Sequence, residues 1–181
     1  MQSFKQYLNE SRNTHLEHLE DEIVNNGYDG GVNAVNFLSS IRDMMLGSSR
    51  SKLNVSVKWD GAPAVFCGIN PENGKFFVGS KSIFNVTPKI NYTNSDISRN
   101  HSGGLVDRLK VCLKYLPRLG IRGVVQGDLL FVPGDIKGVT IHGEKAIAFK
   151  PNTITYAVPE NTPLARRILN AKLGIIFHTS Y

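Results

Sequence analysis

Two lysines and two aspartates stand in or beside stretches that otherwise read as strands. Lys58-Trp59-Asp60-Gly61 lies between Val55-Ser56-Val57 and Ala64-Val65-Phe66. Two apolar, β-prone runs around a polar tetrapeptide put Lys58 at a strand end, and Gly61 lets the backbone turn tightly. Lys58 and Asp60 then present an ammonium and a carboxylate at the mouth of a sheet, where ligands bind. Lys81 follows a second apolar run, and Asp128 interrupts a third, Val124-Val125-Gln126-Gly127-Asp128-Leu129-Leu130-Phe131. Charged groups are costly to bury unless they pair or hold a ligand. On the residues alone two readings stay open. One is a ligand pocket. The other is a hairpin turn with solvated Lys58 and Asp60, or a structural ion pair between Lys58 and Asp128.

The frame that positions these groups is small. With 181 residues, 41% of them hydrophobic, the chain can build one domain with a real core and a short appendage. A formal charge of +6 suits a polyanionic partner, nucleic acid or nucleotide. Cys67 and Cys112 lie in apolar contexts and read as buried thiols of a reducing compartment rather than as a disulfide framework. No Cys/His cluster has zinc spacing. No apolar run approaches the roughly 20 residues that span a bilayer, so no membrane partner is expected. The polar first residues do not form a secretory signal.

Phe4, Tyr7 and Leu8 mark one face of a short N-terminal helix within residues 1–12. A helical region over 13–50 follows. It opens on a capping box, Thr14 to Glu17, and pauses in a loop through Asn26-Gly27 and Gly30-Gly31. It resumes near Asn33 with Val35, Leu38, Ile41 and Met45 inward. His15 and His18 at i, i+3 could share a metal, but no third ligand accompanies them. From residue 51 the period changes. Residues 53–81 read as an antiparallel meander turning at Asn70-Pro71-Glu72-Asn73-Gly74. Asn85 to Gly104 reads as a long loop. Gly104 to Leu116 is predicted as a helix with Leu105, Leu109, Cys112, Leu113 and Leu116 inward. Strands are predicted over Ile121–Phe131, Lys145–Phe149, Thr153–Val158 and Leu173–Thr179. A helix before the last strand is capped by Thr162 with Pro163 at its first position. The fold class is therefore α+β, with mostly antiparallel sheets flanked by helices. Between Arg99 and Arg122 lie six Lys or Arg and one acid, Asp107. Arg108, Lys110, Lys114 and Arg118 read as a solvated helix face or as a surface that tracks nucleic acid phosphates.

Lys58-Trp59-Asp60-Gly61 resembles the Lys-x-Asp-Gly nucleophile motif of covalent nucleotidyltransferases, the ATP-dependent DNA and RNA ligases and mRNA capping enzymes. Ser80-Lys81 resembles the next motif of that superfamily, and Val124 to Phe131 the third, an apolar strand with Gly-Glu near its end. The resemblance implies an ATP-grasp-like adenylation domain, incomplete at its C-terminus, over residues 13–181. It implies that Lys58 attacks the α-phosphate of ATP and carries AMP as a lysyl phosphoramidate. A free lysine is neutral only in about one part in a few thousand at pH 7, and desolvation or a nearby cation such as Lys81 or Mg²⁺ raises that fraction. The resemblance further implies Asp60 and Gly61 beside the nucleotide, Asp128 at the ribose or a metal-bound water, and Lys81 on the phosphates. Phe149 and Tyr156 are the two candidates for the aromatic that stacks on the base. The implied cofactors are ATP and Mg²⁺, and the implied partners are DNA or RNA ends.

The sequence departs from the superfamily in several places. Asp128 replaces Glu, no Glu-Gly pair occurs, and Gly143-Glu144-Lys145 comes only 16 residues after Asp128. No closing Lys-x-Lys is seen. Pro63 stands where DNA ligases carry Arg, which favours the RNA ligase-like members. Two further readings stay beside the ligase or adenylyltransferase. One is a catalytically degenerate relative that binds nucleotide or nucleic acid. The other is an unrelated basic α+β protein. The N-terminal segment also resembles the capsid-targeting peptides of large tailed bacteriophages, with Leu8-Asn9-Glu10 as the protease site and Ser11 as the new first residue. That resemblance implies a protein of the host cytoplasm that is packaged in the virion interior.

Overall fold

The structure is a computed structural model, and it describes residues 3, 4, 6, 8, 18–48 and 58–181. Expectations for Tyr7, the protease site at Asn9 and Glu10, the Thr14 capping box, His15, and the strand through Val55 and Val57 lie outside the described residues. The chain divides into two compact units, His15–Lys58 and a second made of Met1–Thr14 with Trp59–Tyr181. No helix among the described residues is long and apolar enough to cross a membrane.

The first unit is built on helix α1, Leu19–Met45. Glu20, Asp21 and Glu22 occupy its first turn and Arg42 its last, each placed favourably on the helix dipole. The break expected at Asn26-Gly27 is found: Gly27 leaves helical geometry (φ 58°, ψ −129°), a conformation glycine adopts without a Cβ penalty, and divides α1 into two helices across a kink. Gly30 and Gly31, expected in a loop, are helical. Gly30 and Ala34 are the buried residues of α1, whereas Val35, Leu38 and Met45, expected inward, are exposed.

The second unit holds two antiparallel sheets. Strands β1 (Ala64–Ile69), β2 (Phe76–Gly79), β3 (Val124–Phe131) and β7 (Gly174–Ser180) form one sheet in the order β2-β1-β3-β7. Strands β4 (Lys137–Ile141), β5 (Glu144–Phe149) and β6 (Tyr156–Pro159) form the other. Helices α2 (Asn94–Asn100), α3 (Gly104–Tyr115) and α4 (Pro163–Asn170) complete the unit. The α+β class and the antiparallel pairing agree with the sequence reading. Two elements do not. Helix α2 lies inside the stretch expected to be a loop, and its start is a Thr93–Asp96 capping box. Strand β4 was not expected, because Gly138 interrupts its short apolar pattern.

Alternation along the strands sorts the core. Val65, Cys67, Val78 and Leu129 meet Leu109, Cys112 and Leu116 on and just after α3. Phe66, Phe77 and Val124 gather with Phe4, Leu8 and Ile83 in a separate cluster. Phe4 and Leu8 are thus buried anchors, and the Phe4 amide donates to Glu72 Oε1 at 2.6 Å. A third cluster joins the sheets through Leu130, Phe131, Ile147, Phe149 and Val158, with Ala165 and Ile168 of α4.

Both cysteines are free and buried, and burial pushes each thiol from 9.0 up to about 12. Native protein at pH 8 is therefore expected to resist a thiol reagent that labels the unfolded chain fully. Because the folded value lies above the unfolded one, this contribution to stability is complete below pH 9. It is lost as pH rises from about 9 to about 12, which denaturant melts across that window will read.

Candidate functional site

Sheet register brings three of the predicted segments to one end of the sheet. Phe66 pairs with Gly79, Ala64 with Asp128, and Asp128 with Ile176. The end of β2 leading to Ser80-Lys81, the start of β1 following Asp60-Gly61, and Asp128 of β3 therefore share one end of this sheet. Ala62 donates its amide to the Leu129 carbonyl at 3.0 Å, and Leu129 donates to the Pro63 carbonyl at 3.1 Å. These bonds hold the Gly61 backbone against β3. A methyl at Gly61 would sit 2.7 Å from the Leu129 carbonyl oxygen and 3.0 Å from Asp128 Cβ. Glycine is required here by close approach, and that approach sets Gly61 directly against Asp128.

The Asp60 backbone is held by Tyr156. The tyrosine hydroxyl accepts from the Asp60 amide at 2.7 Å and donates to the Asp60 carbonyl at 3.0 Å. Its ring lies between Trp59, with centroids 4.8 Å apart, and Phe149, stacked at 5.5 Å. Phe149 in turn meets Phe131 at 4.8 Å. The column ties β3, β5 and β6 to the Trp59-Asp60-Gly61 segment. Of the two candidate base-stacking rings, Phe149 is only 2% exposed and is enclosed by its aromatic neighbours. Tyr156 is partly buried, with its hydroxyl engaged. Trp59, the chain's sole tryptophan, ends the column; the alternation of Val55, Val57 and Trp59 predicts a strand there, but Trp59 lies outside any strand. Tyr156→Phe removes both bonds and leaves the Asp60 amide and carbonyl short of partners. It is expected to lower stability by about 2 kcal/mol in urea melts.

Asp128 has a neighbour that was not foreseen. His178 Nε2 lies 3.5 Å from Asp128 Oδ1, with the two side chains 15% and 20% exposed. Between Gln126 and Gly127 the pairing with β7 jumps from Thr179 to Phe177, so His178 is the extra residue of a bulge. Such a bulge re-aims a side chain, here onto the Asp128 carboxylate. The imidazole Nδ1 lies 2.8 Å from Thr179 Oγ1, and Tyr181 donates its hydroxyl to Gln126 Oε1 at 2.9 Å.

The remaining candidates are dispersed. Lys81 is exposed at the start of the 3-10 turn Lys81–Phe84, whose Ser80 cap accepts from the Ser82 amide at 3.3 Å. Lys58 is the last residue of the helical unit and is exposed, with its ammonium 3.1 Å from His18 Nε2. Arg108 makes a two-pronged pair with Asp135, at 2.7 and 2.9 Å, so its guanidinium already has a carboxylate. Lys110 and Lys114 line a cavity of about 430 Å³ with Asn94. Lys114 and Arg118 each lie 5.3 Å from the centre of the Tyr115 ring. Three of the four expected cations thus stay close in succession, Lys110 and Lys114 on α3 and Arg118 in the turn that follows it. Among the described residues no group of three or more His, Cys, Asp or Glu could hold a metal ion.

No curated protein and no solved structure matches the chain. A family match does cover nearly all of it, residues 13–181, and on that match the protein belongs to DUF6267, a family of unknown function.

Proposed function

We propose that the protein is a covalent nucleotidyltransferase with an ATP-grasp-like adenylation fold. In this reading it is an ATP-dependent polynucleotide ligase or adenylyltransferase, RNA ligase-like rather than DNA ligase-like. The observation that carries the reading is the contact of Gly61 with Asp128. Two motifs far apart in sequence meet backbone to side chain at one sheet end, with Ser80-Lys81 ending the strand on the other side of β1. The neutral Lys58 amine attacks the α-phosphorus of ATP. An N–P bond forms, the bond to pyrophosphate breaks, and the lysine proton passes to solvent. Lys81 offsets charge on the departing pyrophosphate. Nucleic acid ends are the acceptors, approached along Lys110, Lys114 and Arg118.

One carboxylate at the sheet end, that of Asp128, would suit magnesium held chiefly by phosphate and water oxygens. Asp128 would be the protein ligand, and the ion would neutralise phosphate charge. The test uses ATP labelled at the α-phosphate and, separately, at the γ-phosphate. Label surviving on a denaturing gel from the first and not the second supports the reading. Equal labelling from both, or none over a range of pH and divalent metals, contradicts it.

A second reading rests on the Asp128–His178 contact. A carboxylate already held by an imidazole suits a non-catalytic relative that binds nucleotide or nucleic acid. That form would bind ATP saturably and give no covalent label. Packaging in a virion of a tailed phage belongs with either reading. Cleavage after Glu10 would then remove Phe4 and Leu8 from the core, and a virion-derived chain beginning at Met1 would exclude it.

A further inference from the structure

A second basic site lies on the smaller sheet; Phe149 forms part of its wall, and Arg108 touches it through Asp135. Between the turn at residues 133–135 and strands β4 and β5 is a cavity of about 410 Å³. Lys137 of β4, Lys150 just past β5 and Thr155 just before β6 line it, with Val139 and Ala148 as small apolar surface. Lys137 pairs in register with Ala148, and Lys150 follows β5 two residues later, so the two lysines flank that alanine. Asp135, the one acid on the wall, has both oxygens on Arg108 and also accepts from the Val132 amide. Its charge is compensated. Neither lysine has an ion-pair partner among the described residues.

Two ammonium groups on one cavity whose single carboxylate, Asp135, is already engaged by Arg108 favour an anion between them. The volume falls within the range of about 300–1,000 Å³ typical of small-ligand sites and suits one nucleotide rather than a duplex. The alanine and valine surface leaves room for a flat ring, and Thr155 offers a hydroxyl for a sugar. We propose that this cavity receives one nucleotide residue of a single-stranded nucleic acid, its phosphate between Lys137 and Lys150. The site would hold a strand whether or not Lys58 becomes adenylylated.

The test is fluorescence anisotropy of the full chain with a labelled single-stranded DNA oligonucleotide and its RNA counterpart, over a range of salt. Lys137→Ala with Lys150→Ala should weaken strand binding about tenfold or more and reduce the salt slope by about 0.7, the share of one phosphate on a single strand. Thr155→Phe, which fills the mouth without changing charge, should weaken it as well. A control pair of exposed lysines, Lys75→Ala with Lys172→Ala, should have a clearly smaller effect. The proposal is overturned if the wild-type chain binds neither strand, if the cavity variants bind within twofold of it, or if the control pair loses as much. It is also overturned if the cavity variants lose affinity for free ATP and not for the strand. Failure of covalent labelling with strand binding intact would contradict the nucleotidyltransferase reading alone.

Discussion

Lys58→Ala is expected to abolish covalent capture of AMP while leaving the fold in place. The side chain is exposed and its recorded contact is with the His18 ring, so its removal leaves no buried group short of a partner. Lys58→Arg should be equally inactive, because a guanidinium keeps its proton at any working pH and cannot serve as the nucleophile. Both variants should retain the wild-type melting transition within a degree or so. Nucleotide label retained by either one would remove Lys58 from the chemistry. Label lost together with the melting transition would point to a structural role instead.

Gly61→Ala is expected to be nearly as severe, for a different reason. The added methyl would meet the Leu129 carbonyl oxygen at 2.7 Å and Asp128 Cβ at 3.0 Å, and neither is the end of a flexible side chain. The Ala62–Leu129 and Leu129–Pro63 bonds would have to lengthen to make room. We expect a loss of about 1–3 kcal/mol in urea melts and a fall in adenylylation of about a hundredfold, since small displacements of a reacting segment are costly. Gly104→Ala is the matched control. A Cβ there meets nothing within 4 Å, and stability should be unchanged or slightly raised. Equal behaviour of the two alanines would show that the close approach at Gly61 has no consequence.

Local chemistry made much of the second unit legible. The Thr162 cap and Pro163 start of α4, the Asn70–Gly74 turn and the apolar face of α3 each depend on residues close together in the chain, and each is found as read. Strand identity also followed from composition for β1, β2, β3, β5, β6 and β7. Helix α2 was missed although Thr93 and Asp96 announce it, because the polar run around them reads as loop. The candidate residues can be named from the sequence, but their arrangement cannot. That Tyr156 holds the backbone of Asp60, 96 positions away, is a product of sheet pairing. So is the bulge that turns His178 onto Asp128, since no local pattern marks an extra residue in an apolar strand. Arg108 shows the same limit from the other side. Its charge read as available, and only the fold revealed Asp135 opposite it.

Whether Lys58 carries AMP is decided by incubating wild-type protein with ATP and Mg²⁺, digesting it and mapping the peptides by mass spectrometry. One adenylyl group is expected on the peptide containing Lys58-Trp59-Asp60-Gly61, attached at Lys58 and released by acid as a phosphoramidate is. An adenylyl group on another lysine, or unmodified Lys58 in protein that binds ATP to saturation, would contradict it.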